Sequence, residues 1–219
     1  MNRYFAWFGL QGSFVLTYLL SLLSLVMAIA GRKKERWLIF LAMIFSSIGD
    51  LFLMDFGDLE KIFENTFIMG AAAFMVSHVI YAFAYRRMAK KRGGKFLNGG
   101  AAAALIVCAG CAIYFANACA QRRNFSDFPL AMIYLAVIGT NLAAVFSYAW
   151  AQRKTNPLTF LAAAGAALFF ASDFIIGLGM MARITKWDYL IWWLYPIGQI
   201  LLICAPKISD IVDRGASTR

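Results

Sequence analysis

The sequence predicts an all-α fold, a polytopic bundle of transmembrane helices, from composition and from the spacing of charges. Hydrophobic residues make up 62% of the 219 residues and charged residues only 15%, whereas ordinary soluble domains have about 45–50% and about 25%. The charges lie in short clusters between long apolar runs, and 28 uncharged residues separate Arg3 from Arg32. A helix needs about 20 apolar residues to cross a bilayer. We therefore expect one integral membrane domain over residues 1–219.

The intervals between charges predict seven helices. Lys95 and Arg122 enclose 26 uncharged residues, and Asp127 and Arg153 enclose 25. The other long apolar runs contain at most one charged residue each. The first apolar run is longer than a typical signal-peptide core and ends in basic residues, so we expect it to be retained as a helix. The predicted helices cover about residues 10–30, 36–54, 66–86, 97–119, 128–151, 156–180 and 188–206.

Lys and Arg residues are distributed unequally between the two ends of this bundle. Six belong to the N-terminus and the loops at 55–65, 120–127 and 181–188, whereas fifteen belong to the opposite end. Basic residues concentrate in cytoplasmic loops, so the bias predicts an external N-terminus and a cytoplasmic C-terminus. It also accounts for the net charge of +10 without a nucleic-acid partner. The expected location is the plasma or inner membrane of a bacterium, or an endoplasmic reticulum-type membrane of a eukaryote.

Very few carboxylate, histidine or basic side chains lie deep inside the predicted helices, away from their ends. They are Asp50, Asp173 and the single histidine, His78, and no Lys or Arg lies deep in an apolar run. A charge at the bilayer centre costs about 2.5–3.5 kcal/mol, whereas an interhelical hydrogen bond contributes about 0.6 kcal/mol. The two aspartates are therefore more than packing residues. With a rise of 1.5 Å per residue, they lie about 21 and 26 Å from their cytoplasmic helix ends, and we expect them to face each other.

Other polar side chains form lines on several helices at helical spacing. They predict a polar cavity inside the bundle, of the kind that binds ligands. Interhelical hydrogen bonding is the alternative interpretation for each of these residues and for His78. The polar lines consist of Tyr81, Tyr134, Asn141, Tyr195 and Gln199.

The four cysteines all lie inside apolar runs, and we interpret them as small core residues. Cys108 and Cys111 have the spacing of half a metal site, but the sequence offers neither a second pair nor a nearby histidine. We therefore expect no metal and no cofactor.

The order of the buried polar motifs resembles the YhhN-like lysoplasmalogenase family. The resemblance covers about residues 36–206. Family members commonly have eight helices, two of them before the Gly-Asp motif, whereas this sequence predicts one before it, so an eighth helix stays an alternative. The matching motifs are Gly49-Asp50, His78-x-x-Tyr81, Ser172-Asp173 and Tyr195-x-x-x-Gln199.

This resemblance implies hydrolysis of the vinyl-ether bond of lysoplasmalogens. The products would be a fatty aldehyde and glycerophosphoethanolamine or glycerophosphocholine, and the expected partners are a lysophospholipid substrate and membrane lipids. Protonation of the vinyl ether creates an oxocarbenium ion, a problem that glycosidases solve with two carboxylates. We therefore assign catalysis to Asp50 and Asp173. Substrate binding is assigned to His78, Tyr81, Tyr134, Asn141, Tyr195 and Gln199.

Three alternatives stay open. A proton-coupled transporter of small molecules or lipids also uses buried aspartate and histidine. A lipid-binding or receptor-like bundle would have a cavity without closely placed carboxylates. A hydrolase of other lysolipids would keep the site and change the substrate.

Overall fold

The computed structural model describes residues 9–55, 58–122 and 128–217. These residues form seven α-helices joined by short loops and single 3₁₀ turns, and none of them forms a β-strand. The all-α prediction is therefore confirmed. The helices are α1 (Gly9–Gly31), α2 (Lys34–Leu53), α3 (Thr66–Lys91), α4 (Gly99–Arg122), α5 (Phe128–Gln152), α6 (Phe160–Ala182) and α7 (Ile191–Ser217).

Most helix bounds lie within a few residues of the predicted ones, but α3 and α7 are longer. The predicted third helix ends at residue 86, whereas α3 continues to Lys91 through Arg86, Arg87 and Lys90. The charge spacing marks where an apolar span ends, not where the helix ends. Because Arg and Lys are good helix formers, α3 continues past its apolar segment.

Six helices within the described residues, α2 to α7, are long and apolar enough to cross a membrane, and α1 is apolar over Val15–Gly31. The chain is thus a multi-pass membrane protein. The orientation expected from the charge bias stays a prediction.

The helices are arranged as a closed ring with one helix outside it. Among the described elements, α1, α2, α3, α5, α6 and α7 each pack against the next in this order, and α7 packs against α1. Helix α4 packs on the outside, against α5 and α6. The interior of the ring is therefore enclosed by side chains from helices that are far apart in sequence.

Glycines bring neighbouring helices of the ring close together. A Cβ on Gly165 of α6 would lie 2.8 Å from the carbonyl oxygen of Gly198 on α7, and one on Gly198 would lie 2.9 Å from that of Gly165. The two backbones are thus in direct contact. Close approach through small residues is the usual way in which membrane helices pack.

Ion pairs hold together the end of the ring that contains the 32–33, 92–98 and 153–159 loops. Glu35 of α2 accepts from Lys91 Nζ at 2.8 Å and from Arg87 Nε at 3.2 Å, both on α3. Asp210 of α7 pairs with Lys33 at 2.8 Å and with Arg36 at 2.9 Å. The candidate site lies towards the opposite end.

Candidate functional site

Every helix of the ring contributes a polar side chain to one buried layer in its interior. This layer lies in the half of the bundle in which α2 and α6 end and α3 and α7 begin. It brings together most of the side chains that the sequence singled out. The members are Thr17 of α1, Asp50 of α2, His78 of α3, Tyr134 and Asn141 of α5, Asp173 of α6 and Tyr195 of α7.

Asp50 is 6% exposed and accepts two hydrogen bonds from hydroxyl groups. Thr17 Oγ1 donates to Asp50 Oδ2 at 2.8 Å, and the Tyr195 hydroxyl donates to the same oxygen at 2.7 Å. No Lys or Arg among the described residues forms an ion pair with this carboxyl group. Asp50 is therefore held by neutral donors from α1 and α7.

The close packing of Phe74 explains why a glycine, Gly49, precedes Asp50. A Cβ at Gly49 would lie 2.6 Å from the ring of Phe74 on α3. The phenyl ring thus packs directly on the α2 backbone next to Asp50. It also meets Tyr195 edge to face, with ring centroids 6.0 Å apart, which is a favourable aromatic arrangement. Phe74 and Tyr195 together fix the surroundings of the carboxyl group.

Asp173 is held by a chain of hydrogen bonds that starts on α5. Asn141 Nδ2 lies 3.0 Å from His78 Nδ1, and His78 Nε2 lies 2.7 Å from Asp173 Oδ2. An amide nitrogen can only donate, so Nδ1 accepts, and Nε2 carries the proton that is donated to the carboxylate. The Tyr134 hydroxyl donates to the same oxygen at 2.7 Å. The imidazole ring stacks on Phe169, with centroids 4.3 Å apart.

A cavity of about 290 Å³ lies between α2, α6 and α7, and we call it the polar cavity. Asp50 and Asp173 both line it, as expected from their similar depth. Asp173 Oδ1 and Ser172 Oγ are buried and have no hydrogen-bond partner among the described residues. A buried polar atom without a partner costs about 1–3 kcal/mol. Both residues line the polar cavity, and the hydrogen-bonding capacity of these two atoms is not used within the described structure.

A second cavity, of about 120 Å³, lies between α3, α5 and α6, and we call it the apolar cavity. Aromatic and aliphatic side chains form nearly all of its lining, together with Tyr134. The polar and apolar cavities share Leu53, Phe74, Asp173 and Ile176 as lining residues. Asp173 is therefore accessible from a polar and from an apolar compartment.

Tyr81 and Gln199 lie in a separate buried layer, outside the lining of these two cavities. The Tyr81 hydroxyl donates to Gln199 Oε1 at 2.8 Å, and Gln199 Nε2 donates to Ser46 Oγ at 3.1 Å. Ser46 Oγ in turn lies 2.7 Å from Ser77 Oγ. This layer fills the ring between the carboxylates and the ion-paired end. Direct contact of Tyr81 or Gln199 with a substrate stays a prediction.

Sequence reasoning assigned no role to three side chains of the site. Thr17 lies in an apolar run without a motif, and Ser172 was noted only as part of the Ser172-Asp173 motif. Asp188 lines the polar cavity, although its charge looked like an ordinary end of a membrane span. The described residues contain no cluster of three His, Cys, Asp or Glu residues that could hold a metal ion.

The fold and the site together define a class, multi-pass helical membrane proteins with a carboxylate-lined cavity at membrane depth. The model of the YhhN family matches residues 12–205. The chain therefore belongs to the YhhN family. The comparisons with curated proteins and with solved structures give no match.

Proposed function

We propose that this protein is a membrane-embedded hydrolase that cleaves the vinyl-ether bond of lysoplasmalogens. The products are a fatty aldehyde and glycerophosphoethanolamine or glycerophosphocholine. The observation that carries the proposal is that Asp50 and Asp173 line one cavity within the helix ring. Membership of the YhhN family, together with the lysoplasmalogenase motifs of the sequence, supports the same reaction.

The reaction requires one group that donates a proton and one that accepts it. Protonation of the β-carbon of the vinyl ether gives an oxocarbenium ion, and water adds to its carbon. The proton that the water loses goes to the second carboxylate, and a hemiacetal forms. The hemiacetal hydroxyl then loses its proton, the ether oxygen gains one, and the carbon–oxygen bond breaks to give aldehyde and alcohol. Paired carboxyl groups perform this type of acid and base catalysis in glycosidases.

The difference between the donors favours Asp50 as the acid, because Asp50 is bonded only to hydroxyl groups, whereas Asp173 is also bonded to an imidazole ring. A buried carboxylate without a cationic partner is costly, so its neutral form is preferred. Asp50 Oδ2 accepts from Thr17 and Tyr195, which suits the carbonyl oxygen of a neutral carboxyl group and leaves Oδ1 to carry the proton. After proton transfer, the same two hydroxyl groups stabilise the new carboxylate.

The surroundings of Asp173 favour its role as the base. It accepts hydrogen bonds from His78 and Tyr134 on one oxygen, and charge-assisted bonds of this kind stabilise a carboxylate. Its second oxygen is buried and has no partner in the described structure, and in the proposed reaction it accepts the proton of the attacking water. In the collapse step, Asp173 returns the proton to the ether oxygen, and Asp50 regains its own from the hydroxyl group.

The interior of the ring is filled between the site and the ion-paired end, and this supports a hydrolase over a transporter. A transporter opens its site to the two sides of the membrane in turn, so the helices around this layer would have to separate. The layer of Tyr81, Gln199, Ser46 and Ser77 occupies the ring between the carboxylates and the ion-paired end, and all four residues are fully buried. Access from one side only is sufficient for a hydrolase.

Purified protein supplied with a lysoplasmalogen, and separately with the acyl lysophospholipid of the same chain, tests the proposal. We expect aldehyde from the vinyl ether, measured with a coupled aldehyde reductase, and no fatty acid from the acyl lipid. Release of fatty acid alone would indicate a different lysolipid hydrolase. Lysolipid or proton flux into liposomes without any product would indicate a transporter.

A further inference from the structure

A further carboxylate lies at the loop end of the polar cavity. Asp188 begins the 3₁₀ turn Asp188–Leu190 that precedes α7, and it is one of the residues that line the cavity. Its Oδ1 atom is buried and has no hydrogen-bond partner among the described residues. The carboxylate lies over Gly179 of α6, where a Cβ would be 3.4 Å from Oδ1. The site thus has a negative group that the hydrolysis does not use.

An aromatic residue accompanies this carboxylate. Trp192 follows Asp188 by four residues and lines the same cavity. A carboxylate beside an indole ring is a typical arrangement for binding an ammonium group, because both the charge and the ring quadrupole attract a cation. A phosphate group alone would be repelled by Asp188. The chemistry of this end of the cavity therefore favours a cationic ligand.

The position of Asp188 fits the far end of a lysolipid headgroup. Tyr195, which donates to Asp50, lies seven residues beyond Asp188 along α7. Seven residues correspond to about 10 Å of helix, comparable to an extended glycerophosphocholine chain. The apolar cavity begins on the other side of the catalytic pair, past Phe74.

We propose that Asp188 binds the ammonium group of the substrate headgroup and selects lysolipids whose headgroup carries an ammonium group. This inference rests on the proposed function and adds the mode of binding. The glycerophospho portion lies in the polar cavity, and the hydrocarbon chain passes Phe74 into the apolar cavity. The vinyl ether is then positioned where the two cavities share Asp173.

Binding of lipids that cannot be cleaved tests this separately from hydrolysis. The first ligand is a saturated 1-O-alkyl lysophosphocholine. The comparison ligand is its carbon analogue, the same lipid with carbon in place of the choline nitrogen. We expect wild-type protein in detergent to bind the ammonium lipid about tenfold or more tightly than the carbon analogue, which keeps the phosphate but has no positive charge. Equal affinities for the two lipids would overturn the proposal.

Variants then assign the preference to one residue. We expect Asp188→Asn to lose the preference for the ammonium lipid without a lower affinity for the carbon analogue, and Asp188→Glu to keep the preference. The matched control is Glu64→Gln, which removes an exposed carboxylate at the same end of the bundle, outside the lining of the two cavities. A retained preference in Asp188→Asn, or an equal loss of affinity for both lipids, would contradict the assignment.

The outcomes separate the two proposals. Because the saturated ether lipid has no vinyl ether, its binding does not depend on hydrolysis. Ammonium selectivity without aldehyde release would leave the headgroup site standing and overturn the proposed reaction. Aldehyde release without any role of Asp188 in headgroup preference would do the reverse.

Discussion

The two ends of the helix ring surround their buried carboxylates differently. At the end with the 32–33 and 92–98 loops, Glu35 is 2% exposed and is paired with Arg87 and Lys91. At the other end, Asp50 and Asp173 are bonded to hydroxyl groups and to a single imidazole ring. Both kinds of carboxylate are buried, but only the first kind is neutralised by Lys and Arg.

The difference supports a structural role for Glu35 and Asp210 and, under the proposed reaction, a chemical role for Asp50 and Asp173. A buried charge that stabilises a fold is paired and hydrogen-bonded. The Asp50 and Asp173 pair faces a cavity and keeps an oxygen without a partner in the described structure. Such an arrangement is costly for stability but suits groups that must exchange protons with a substrate.

The largest expected effect comes from removing either carboxyl group of the site. Asp50→Asn and Asp173→Asn should each lower the rate of aldehyde release about 10²- to 10⁴-fold, as expected for loss of a general acid or base. The isosteric amide retains an oxygen for the Thr17, Tyr195 and Tyr134 hydroxyls. We therefore expect both variants to elute as folded protein. Near-full activity in either folded variant would contradict the paired mechanism.

A smaller effect is expected from removing one donor to the proposed acid. Tyr195→Phe deletes a hydrogen bond that stabilises the Asp50 carboxylate formed after proton transfer, so kcat should fall about tenfold. Steady-state aldehyde release measures this. The matched control is Tyr148→Phe, because Tyr148 is buried against Tyr85, away from the two cavities. Equal losses in both tyrosine variants would point to a general packing defect.

The apolar compartment should control chain length and not the chemistry. Gly177 of α6 lines the apolar cavity, and a Cβ there would have only Phe115 nearby, at 3.7 Å. We expect Gly177→Leu to raise KM about tenfold for long alkenyl chains and to spare short ones. Gly110→Leu on α4 is the control, since a Cβ at Gly110 has no neighbour within 4 Å. A uniform loss of activity at every chain length would contradict a role of the apolar cavity in selecting chain length.

The smallest effect on activity is expected at the ion-paired end. Glu35→Gln leaves Arg87 and Lys91, whose side chains are 41% and 60% exposed, free to bind water. We expect a loss of about 1 kcal/mol in the free energy of unfolding, which lowers Tm by about 2–4 °C in a chain of this size. Aldehyde release below Tm should be unchanged. A strong loss of activity in folded protein would remove the contrast between the two ends.

The sequence predicts the helices, and it singles out Asp50 and Asp173, because charged residues are scarce inside the apolar runs. An aspartate at membrane depth is costly enough to mark Asp50 and Asp173 without a structure. Thr17 carries no such mark, since a hydroxyl group is easily accommodated in a membrane helix. Asp188 adjoins a loop, where any charge resembles a membrane flank.

The arrangement of the helices could not be predicted in the same way. Helix α4 is as apolar as its neighbours, and hydropathy does not distinguish a helix inside the ring from one outside it. Only the packing places α4 against the outer faces of α5 and α6. The position of Phe74, which lines both cavities, likewise depends on a contact with Gly49 that no spacing rule reveals.

Hydrolysis in D₂O tests the central claim most directly. If Asp50 protonates the β-carbon of the vinyl ether, the aldehyde should carry one deuterium at the carbon next to its carbonyl, after immediate reduction to the alcohol. Wild-type protein should give this singly labelled alcohol from a lysoplasmalogen, and Asp50→Asn and Asp173→Asn should give almost none. Aldehyde without the label, or labelled product from either folded variant at the wild-type rate, would contradict the account.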